Sequence, residues 1–457
     1  MSDAYRFPES SETPHQPNSG RADLDVTASE VPRSDCCLGD DHDVVNDNST
    51  IDPDGSDVDD SGAYVSHLIQ VVGKHSTKCR IRAHQINEHE TIFGADEFKV
   101  MGTNVLPIVL VQIYLAPASD YRTFVDVTTI ADDLAVFHHG LSTRRLEGLR
   151  PDTVYEFSGA SIRTLERPGG ELLCRFATVN DVHFGEVECG RMDGRSDGPI
   201  QRRDSHETPH PELMNQTAVR EIAAIDPIAV FVKGDLTLDG SDEEFAAFEA
   251  CYRPAFGESL HVVRGNHDAY HDQGRYDRDL WVELPGICVA LMDTVIATET
   301  TGAFTSDQIA WLEDRVAATD CRVIVMGHHQ QWVDGRRSDD YFGLHPDSSD
   351  ELDRLTARHT NVLGYTAGHT HRHRLRRMPC GAPTVEVGTI KDFPGTWAEY
   401  RVYEGGVMQV VHRVSEPEAL SWSERCRGLY ADFGMHYESY ALGSLDQRCF
   451  VFPDRAS

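Results

Sequence analysis

The pattern of apolar residues changes at about residue 175. Before that point the apolar stretches are short and rich in valine and threonine, as at 65–71, 107–115 and 123–137. Alternating apolar positions and β-branched residues favour strands over helices. Residues 63–174 are therefore predicted to form an all-β domain.

From residue 175 onward, short apolar runs alternate with stretches of helical spacing. The predicted strands are 176–179, 228–232, 261–263, 323–326 and 365–367, and the predicted helices are 213–225 and 308–318. Thr305 and Gln308 form a capping box at the start of the second helix. Alternating strands and helices predict a layered α/β domain over 175–414, whose ligands gather where strands end.

Composition and charge exclude some classes of partner. The chain has 457 residues, and 75 Asp and Glu outnumber 42 Lys and Arg, which gives a net charge of −33. So acidic a protein is repelled by nucleic acid and by anionic membranes. The sequence contains neither a long apolar run typical of a transmembrane helix nor a secretory signal. With 11 cysteines and no export signal, we expect reduced thiols and a cytoplasmic location.

The N-terminal region differs from the rest. Residues 1–62 are acidic and rich in serine, proline and asparagine, with few aromatic residues. Such a composition does not offset the entropy lost on ordering. We expect a disordered acidic tail.

The all-β segment contains a characteristic corner. Leu149 precedes a turn at Pro151 and Asp152, and the following strand opens with Val154 and Tyr155. This arrangement resembles the tyrosine corner of a β-sandwich. Residues 63–174 thus resemble a fibronectin type III domain, which implies an immunoglobulin-like sandwich.

Polar side chains follow five of the apolar strands in the α/β segment. In chain order they are Asp181, His183, Asp235, Asn266, His267, His328, His369 and His371. Carboxylate and amide oxygens mixed with imidazoles suit ions such as Mn, Fe, Zn or Co. These side chains are too many for one tetrahedral ion, so the sequence predicts two metal ions that share a carboxylate.

The order DxH, GD, GNHD, GHH and GHxH resembles the calcineurin-like metallophosphoesterase superfamily over residues 175–414. The resemblance implies a four-layer αββα sandwich with a dinuclear metal centre. It implies that Asp181, His183 and His371 hold one metal, that Asn266, His328 and His369 hold the other, and that Asp235 bridges both. His329, next to His328, is expected to point elsewhere.

A mechanism follows from two metal ions placed about 3.5–4 Å apart. A bridging hydroxide attacks phosphorus in line, while the ions neutralise charge on the phosphoryl oxygens. His267 is the candidate acid for the leaving group. Asp268 is expected to hold the His267 ring through a hydrogen bond.

Two branches of the superfamily compete. A preceding β-sandwich resembles purple acid phosphatases, but these carry a tyrosine where this chain has Leu238 and a glycine where it has His183. The DxH start instead resembles bacterial class III cyclic-nucleotide phosphodiesterases and glycerophosphodiesterases. Phosphodiester hydrolysis is therefore the first prediction and phosphomonoester hydrolysis the second. A non-catalytic binding scaffold is the third, although every ligand position is filled.

Specificity is expected in the segments between the metal ligands. The insertion 184–211 contributes Arg195 and His206 as candidate substrate contacts, and Tyr270 and Lys391 are two more. The expected partner is a small phosphoester, whose charge the metal ions attract despite the acidic protein. Residues 415–457 form an extension, with a helix at 416–430, that packs on the catalytic domain or pairs two subunits as a homodimer.

Overall fold

The computed structural model describes residues 126–157, 160–191, 199–333, 337–338, 341–453 and 455, and the backbone of five earlier strands. These strands are β1 (Leu68–Val71), β2 (Thr77–Arg80), β3 (His84–Asn87), β4 (Glu90–Ile92) and β5 (Gln112–Tyr114). The described residues belong to one compact unit. The predicted acidic tail, 1–62, lies outside them.

The segment that precedes the α/β domain consists of antiparallel strands. Its remaining strands are β6 (Asp126–Ile130), β7 (Leu134–His139), β8 (Ser142–Glu147), β9 (Val154–Phe157) and β10 (Ala160–Arg163). One sheet has the order β3-β4-β5-β8-β7-β6, and β9 and β10 form a hairpin. The backbone N–H of Arg150 donates to the hydroxyl of Tyr155 at 2.9 Å, the contact of a tyrosine corner. The full sandwich stays a prediction, because most of 63–125 lies outside the described residues.

The α/β domain contains two six-stranded sheets. Its elements in chain order are β11 (Leu172–Val179), α1 (His210–Ala224), β12 (Val230–Lys233), α2 (Asp242–Phe256), β13 (Leu260–Val263), β14 (Leu280–Leu284), β15 (Ile287–Leu291), α3 (Ser306–Ala317), β16 (Arg322–Met326), α4 (Pro346–Arg358), β17 (Val362–Ala367), β18 (Arg374–Arg377), β19 (Pro383–Glu386), β20 (Thr396–Tyr403), β21 (Gly406–Arg413), α5 (Pro417–Cys426), α6 (Tyr437–Leu442), α7 (Leu445–Arg448) and β22 (Phe450–Val451). The first sheet has the order β13-β12-β11-β20-β21-β22, and the second has the order β14-β15-β16-β17-β19-β18. The predicted strands and helices are thus confirmed, with shifted ends.

Apolar residues bind the layers together. Phe231 of the first sheet and Val289 of the second share one buried cluster, so the two sheets face each other. Val232 packs with α1 and α2 on the outer side of the first sheet, and Val325 packs with α3 and α4 on the outer side of the second. Both faces of the central strands are covered, which explains their continuous apolar sequences. The predicted mixed α/β class is confirmed, with the layers in the order helix, sheet, sheet, helix.

Local sequence signals set the ends of two helices. Thr305 and Gln308 form the predicted capping box at the start of α3, with each side chain bound to the backbone of the other residue. Ser241 and Glu244 form a second capping box at the start of α2. These reciprocal hydrogen bonds satisfy amide groups that the first helical turn leaves unpaired.

The C-terminal extension packs against the α/β domain. Trp422 of α5 is buried in the cluster outside the first sheet, and β22 pairs with β21 at the sheet edge. The helix predicted at 416–430 is shorter than expected and ends at Cys426. Among the described residues, no helix is both long and apolar enough to span a membrane.

Candidate metal centre

The strand order brings the predicted ligands to one edge. β11, β12 and β13 are neighbouring parallel strands, and so are β16 and β17 in the facing sheet. The loops after them are tied to each other, since the backbone N–H of Asp181 donates to Gly234 O at 3.1 Å and that of Gly368 donates to His328 O at 2.9 Å. Polar residues that are far apart in sequence therefore meet in space.

One group of ligands lies around the two aspartates. Asp181, His183, Asp235 and His371 are buried, and their ligand atoms lie within 4.8 Å of one another. His183 Nε2 is 3.4 Å from Asp235 Oδ2, and His371 Nε2 is 3.8 Å from Asp181 Oδ1. Two carboxylates and two imidazoles at this spacing can hold a divalent cation.

A second group lies on the other side of Asp235. His328 Nε2 is 3.1 Å from Asn266 Oδ1, 3.2 Å from His369 Nδ1 and 3.3 Å from Asp235 Oδ1. Asp235 therefore directs Oδ2 to the first group and Oδ1 to the second. A carboxylate placed between the two groups in this way could be shared by two cations.

Several buried nitrogen atoms in these groups have no hydrogen-bond partner. They are Nδ1 and Nε2 of His183, Nε2 of His369 and Nε2 of His371. Buried polar atoms are nearly always paired, because leaving them unpaired costs free energy. Imidazole nitrogens are common metal ligands, so the donor set fits a pair of metal ions. Asp181, His183, Asp235, Asn266, His328, His369 and His371 together are called the metal cluster.

The backbone of the metal cluster adopts an uncommon conformation. Left-handed φ values occur at Asp181 (54°), His183 (48°), Asp235 (50°), His369 (68°) and His371 (54°). Each such non-glycine residue costs about 1 kcal/mol or more and persists only where the surrounding structure imposes it. A Cβ atom on Gly265 would lie 2.2 Å from Asp235 Oδ1, so only glycine permits this close approach.

Comparison with known proteins identifies the domain. Residues 174–373 match the family model described as calcineurin-like phosphoesterase. These residues form a domain that matches the calcineurin-like phosphoesterase family. Its predicted recognition from the motif order is confirmed at the level of the family, whereas the class III phosphodiesterase branch stays a prediction.

The similarity of the chain to solved structures is weaker than its match to the family model. A dimetal phosphatase from Danio rerio is 17% identical, with 53% of this chain and 98% of that chain covered and a TM-score of 0.41. A purple acid phosphatase from seeds of yellow lupin, Lupinus luteus, is 13% identical. The match covers 74% of this chain and 72% of that chain, with a TM-score of 0.39. Scores this low do not establish a shared fold. No curated protein matches the sequence.

Burial and neighbouring charges set the ionisation of the phosphoesterase domain's metal cluster. Burial lowers the pKa of His183 to about 4 and keeps the pKa of His369 and His371 well below the usual value. These imidazoles are therefore neutral at pH 7, the form that binds metals. Burial alone would raise the pKa of Asp235, but His328 and His267 outweigh it and hold this pKa well below its usual range.

Some supporting residues were missed by sequence reasoning. Asn180 donates from Nδ2 to Asp181 Oδ2, and Thr389 donates from Oγ1 to Asp181 O at 2.9 Å. Lys233 is fully buried and donates from Nζ to Thr366 Oγ1 and to Ala367 O, each at 3.0 Å. Burial lowers the pKa of Lys233 to about 7. A lysine that ends an apolar strand was the available signal, because such a residue is rarely buried without a role.

The structure contradicts the predicted contact between Asp268 and His267. His267 donates from Nδ1 to Leu238 O at 2.7 Å, so a backbone carbonyl orients the ring. Asp268 instead accepts hydrogen bonds from the backbone N–H groups of Gly265, Leu236 and Thr237. The 3₁₀ turn His267–Ala269 directs the carboxylate back toward these amides. Asp268 therefore links two ligand-bearing loops rather than the imidazole.

The predicted neighbours of the substrate are only partly brought together. Tyr270 lies beside the metal cluster, because its hydroxyl accepts from Asn266 Nδ2 at 2.6 Å and its ring is 4.8 Å from that of His267. His206 is exposed, and within the described residues no hydrogen bond or ion pair joins it to the metal cluster. Arg195 lies outside the described residues.

His329 was predicted to point away from the metal cluster, but its ring lies against it. Its ring centre lies 4.7 Å from that of His369 and 4.9 Å from that of His328. His329 Nδ1 is 2.8 Å from the hydroxyl of Thr294, which anchors the ring. His329 therefore packs against two predicted ligands.

Lys391 is part of a second buried group rather than an open substrate contact. Its ammonium lies 2.7 Å from Glu186 Oε2 and 3.2 Å from Asp392 Oδ2. His210 Nε2 is 3.2 Å from Glu186 Oε2 and 3.3 Å from Cys189 Sγ. These five residues are called the Lys391 cluster. Lys391 is buried and two carboxylates of the protein bind its charge, so the structure gives no support to its predicted substrate role.

The Lys391 cluster is stabilised by its own opposite charges. Burial alone would raise the pKa of Glu186, but Lys391 and His210 hold it well below the usual value. Burial alone would lower the pKa of His210, but its contacts with Cys189 and Glu186 raise it to about 9. Although Glu186, Cys189 and His210 have the spacing of metal ligands, Lys391 already supplies the neutralising charge.

Proposed function

We propose that the chain is a phosphoesterase that uses two metal ions, of Mn, Fe, Zn or Co, to hydrolyse small phosphodiesters. One observation carries this proposal: buried imidazole nitrogens without hydrogen-bond partners surround two carboxylates at the edge of both sheets. In this assignment Asp181, His183 and His371 hold one ion, and Asn266, His328 and His369 hold the other. Asp235 lies between the two groups and would be shared by both ions.

The pair of ions, when bound, polarises the phosphoryl group and lowers the pKa of water to near 7. The protein's own task is to fix the ligands in place. The left-handed backbone at five ligand positions and the hydrogen bond from the backbone N–H of His369 to Asp181 Oδ1, at 2.9 Å, do so. Ligands that are already oriented need little reorganisation during the reaction.

His267 is proposed to protonate the leaving group. Its Nδ1–H is held by the carbonyl of Leu238, so Nε2 is the nitrogen that can carry and release the transferred proton. The ring is 4.6 Å from that of His183 and 8% of the residue is exposed, which places it at the border between the metal cluster and solvent. An imidazolium here can give its proton to the departing oxygen.

The preference for diesters rests on two positions. His183 stands where purple acid phosphatases have glycine, and Leu238 stands where they have a tyrosine ligand. Leu238 contributes its carbonyl to His267 instead. A site with an added imidazole and no phenolate resembles the diesterase branch more than the monoesterase branch.

The test compares two substrates on the full chain. Metal-stripped protein is supplied with Mn²⁺ and assayed with bis(p-nitrophenyl) phosphate and p-nitrophenyl phosphate. We expect faster turnover of the diester, and a loss of about 10³-fold or more in Asp235→Asn, because both ions lose a ligand. Asp353→Asn, on α4 away from the metal cluster, is the matched control and should keep full activity.

Each other outcome has a definite meaning. Faster turnover of the monoester makes the protein a phosphomonoesterase. Protein that binds Mn²⁺ but hydrolyses neither ester is a binding scaffold, and the proposal is then rejected.

A further inference from the structure

The loop 368–373 needs support from outside itself. It carries the predicted ligands His369 and His371, both in left-handed backbone, with φ values of 68° and 54°. Two such residues separated by a single position are costly for a free loop. Their conformation therefore depends on what holds Thr370, Arg372 and His373.

One side of this loop is held by the second sheet. Thr370 donates from Oγ1 to Glu386 Oε2 at 2.9 Å, and Arg372 donates from Nε to the same oxygen at 2.7 Å. The backbone N–H of Gly388 donates to His373 Nδ1 at 3.1 Å. These partners come from β19 and the residues just after it.

The other side of the loop is held by α6 of the C-terminal extension. Tyr440 donates its hydroxyl to Thr370 O at 3.1 Å, and the backbone N–H of His373 donates to Ala441 O at 3.0 Å. The guanidinium carbon of Arg372 lies 4.9 Å from the centre of the Tyr440 ring, a cation–π contact. The residues that α6 contacts thus alternate with the two histidines.

The approach of α6 to the loop is close. A Cβ atom on Gly443, the residue after α6, would lie 2.5 Å from His373 O. Gly443 also has a φ of 58°, so a side chain is disfavoured here both by this contact and by the left-handed backbone. The close contact between the end of α6 and the loop therefore depends on a glycine at position 443.

We propose that α6 sets the position of His369 and His371, with Tyr440 as a positioning residue for the metal centre. The match to the phosphoesterase family ends at residue 373, so α6 lies outside it. The inference rests on the proposed function, since it assumes that these histidines bind metal. Groups that orient metal ligands change metal affinity by about 10–100-fold when they are removed.

The experiment measures metal affinity instead of activity. Metal-stripped full-length protein is titrated with Mn²⁺ by calorimetry, for the wild type and for Tyr440→Phe, which removes one oxygen atom. Tyr437→Phe is the matched control, because Tyr437 lies on the same helix but donates to Asp392 Oδ1 at 3.0 Å. Thermal unfolding of the metal-free proteins checks that the two variants lose similar stability.

We expect Tyr440→Phe to bind Mn²⁺ about 10-fold or more weakly than the wild type, and Tyr437→Phe to bind within about twofold of it. Equal affinity for Tyr440→Phe and the wild type overturns the role of α6. Equal weakening in both tyrosine variants also overturns it, because the effect is then one of general stability. Wild-type protein that binds none of Mn²⁺, Fe²⁺, Zn²⁺ and Co²⁺ overturns the proposed function itself.

Discussion

The metal cluster and the Lys391 cluster are both groups of acidic and imidazole side chains in the interior of the protein. They differ in how far their buried polar atoms are paired within the protein. In the Lys391 cluster each charged group has an oppositely charged neighbour, with Lys391 between Glu186 and Asp392. In the metal cluster three histidines keep nitrogen atoms without hydrogen-bond partners. Five residues of the metal cluster have left-handed backbone, and none of the Lys391 cluster does.

This difference shows which signals mark a metal centre. Both clusters contain histidines and carboxylates at ligand spacing, so residue type alone does not separate them. Unpaired imidazole nitrogens and imposed backbone conformations do separate them, because a fold keeps such features only where something else compensates. In the Lys391 cluster, in contrast, the lysine of the protein neutralises the buried carboxylates, so no metal ion is needed.

The largest expected effect comes from removing the internal cation. Lys391→Met leaves Glu186 and Asp392 buried without their positive partner, which should lower the free energy of unfolding by about 3–5 kcal/mol. Denaturant unfolding measures this change, and Mn²⁺ stoichiometry should stay at the wild-type value. A variant as stable as the wild type would show that the Lys391 cluster does not depend on its own cation.

Metal binding should stabilise the other cluster by a smaller amount. At a free Mn²⁺ concentration about 100 times the dissociation constant, one site contributes roughly 2.7 kcal/mol to stability. The midpoint of thermal unfolding should therefore rise when Mn²⁺ is added to stripped protein, and Asp235→Asn should abolish this rise. Loss of the rise in Glu186→Gln as well would contradict the separation of the two clusters.

The smallest effect is a dependence of stability on pH. The pKa of His210 is raised from its ordinary value of 6.5 to about 9. Its contribution is fully present below pH 6.5 and is lost as pH rises through 9, since only the folded protein holds this proton more tightly. Between these values stability should fall by on the order of 2 kcal/mol.

Urea unfolding at several pH values measures this slope. His210→Gln should remove it, because glutamine does not titrate. An unchanged slope in the variant would assign the pH dependence to another group.

Much of the metal cluster could be predicted from sequence. Asp181, Asp235 and His328 each follow a buried strand, and parallel strands bring their carboxyl ends to one edge. The capping box at Thr305 was also predictable, because its geometry depends on residues only three apart. Local patterns and strand order carry this information.

The predictions failed where the contact of a side chain depends on the local turn of the backbone or on a partner far away in the sequence. Asp268 follows His267 in the chain, but the turn of the backbone sends the two side chains to different partners. Glu186 and Lys391 are separated by 205 positions, and nothing local to either shows that they pair. Side-chain direction and long-range ion pairs depend on the complete packing.

The left-handed backbone of the ligand positions has a consequence for the order of maturation. A short peptide copied from any one motif would not hold this conformation, so it would be a poor chelator. The coordinating geometry exists only after both sheets have formed around it. We therefore expect metal ions to bind the folded chain and not to direct its folding.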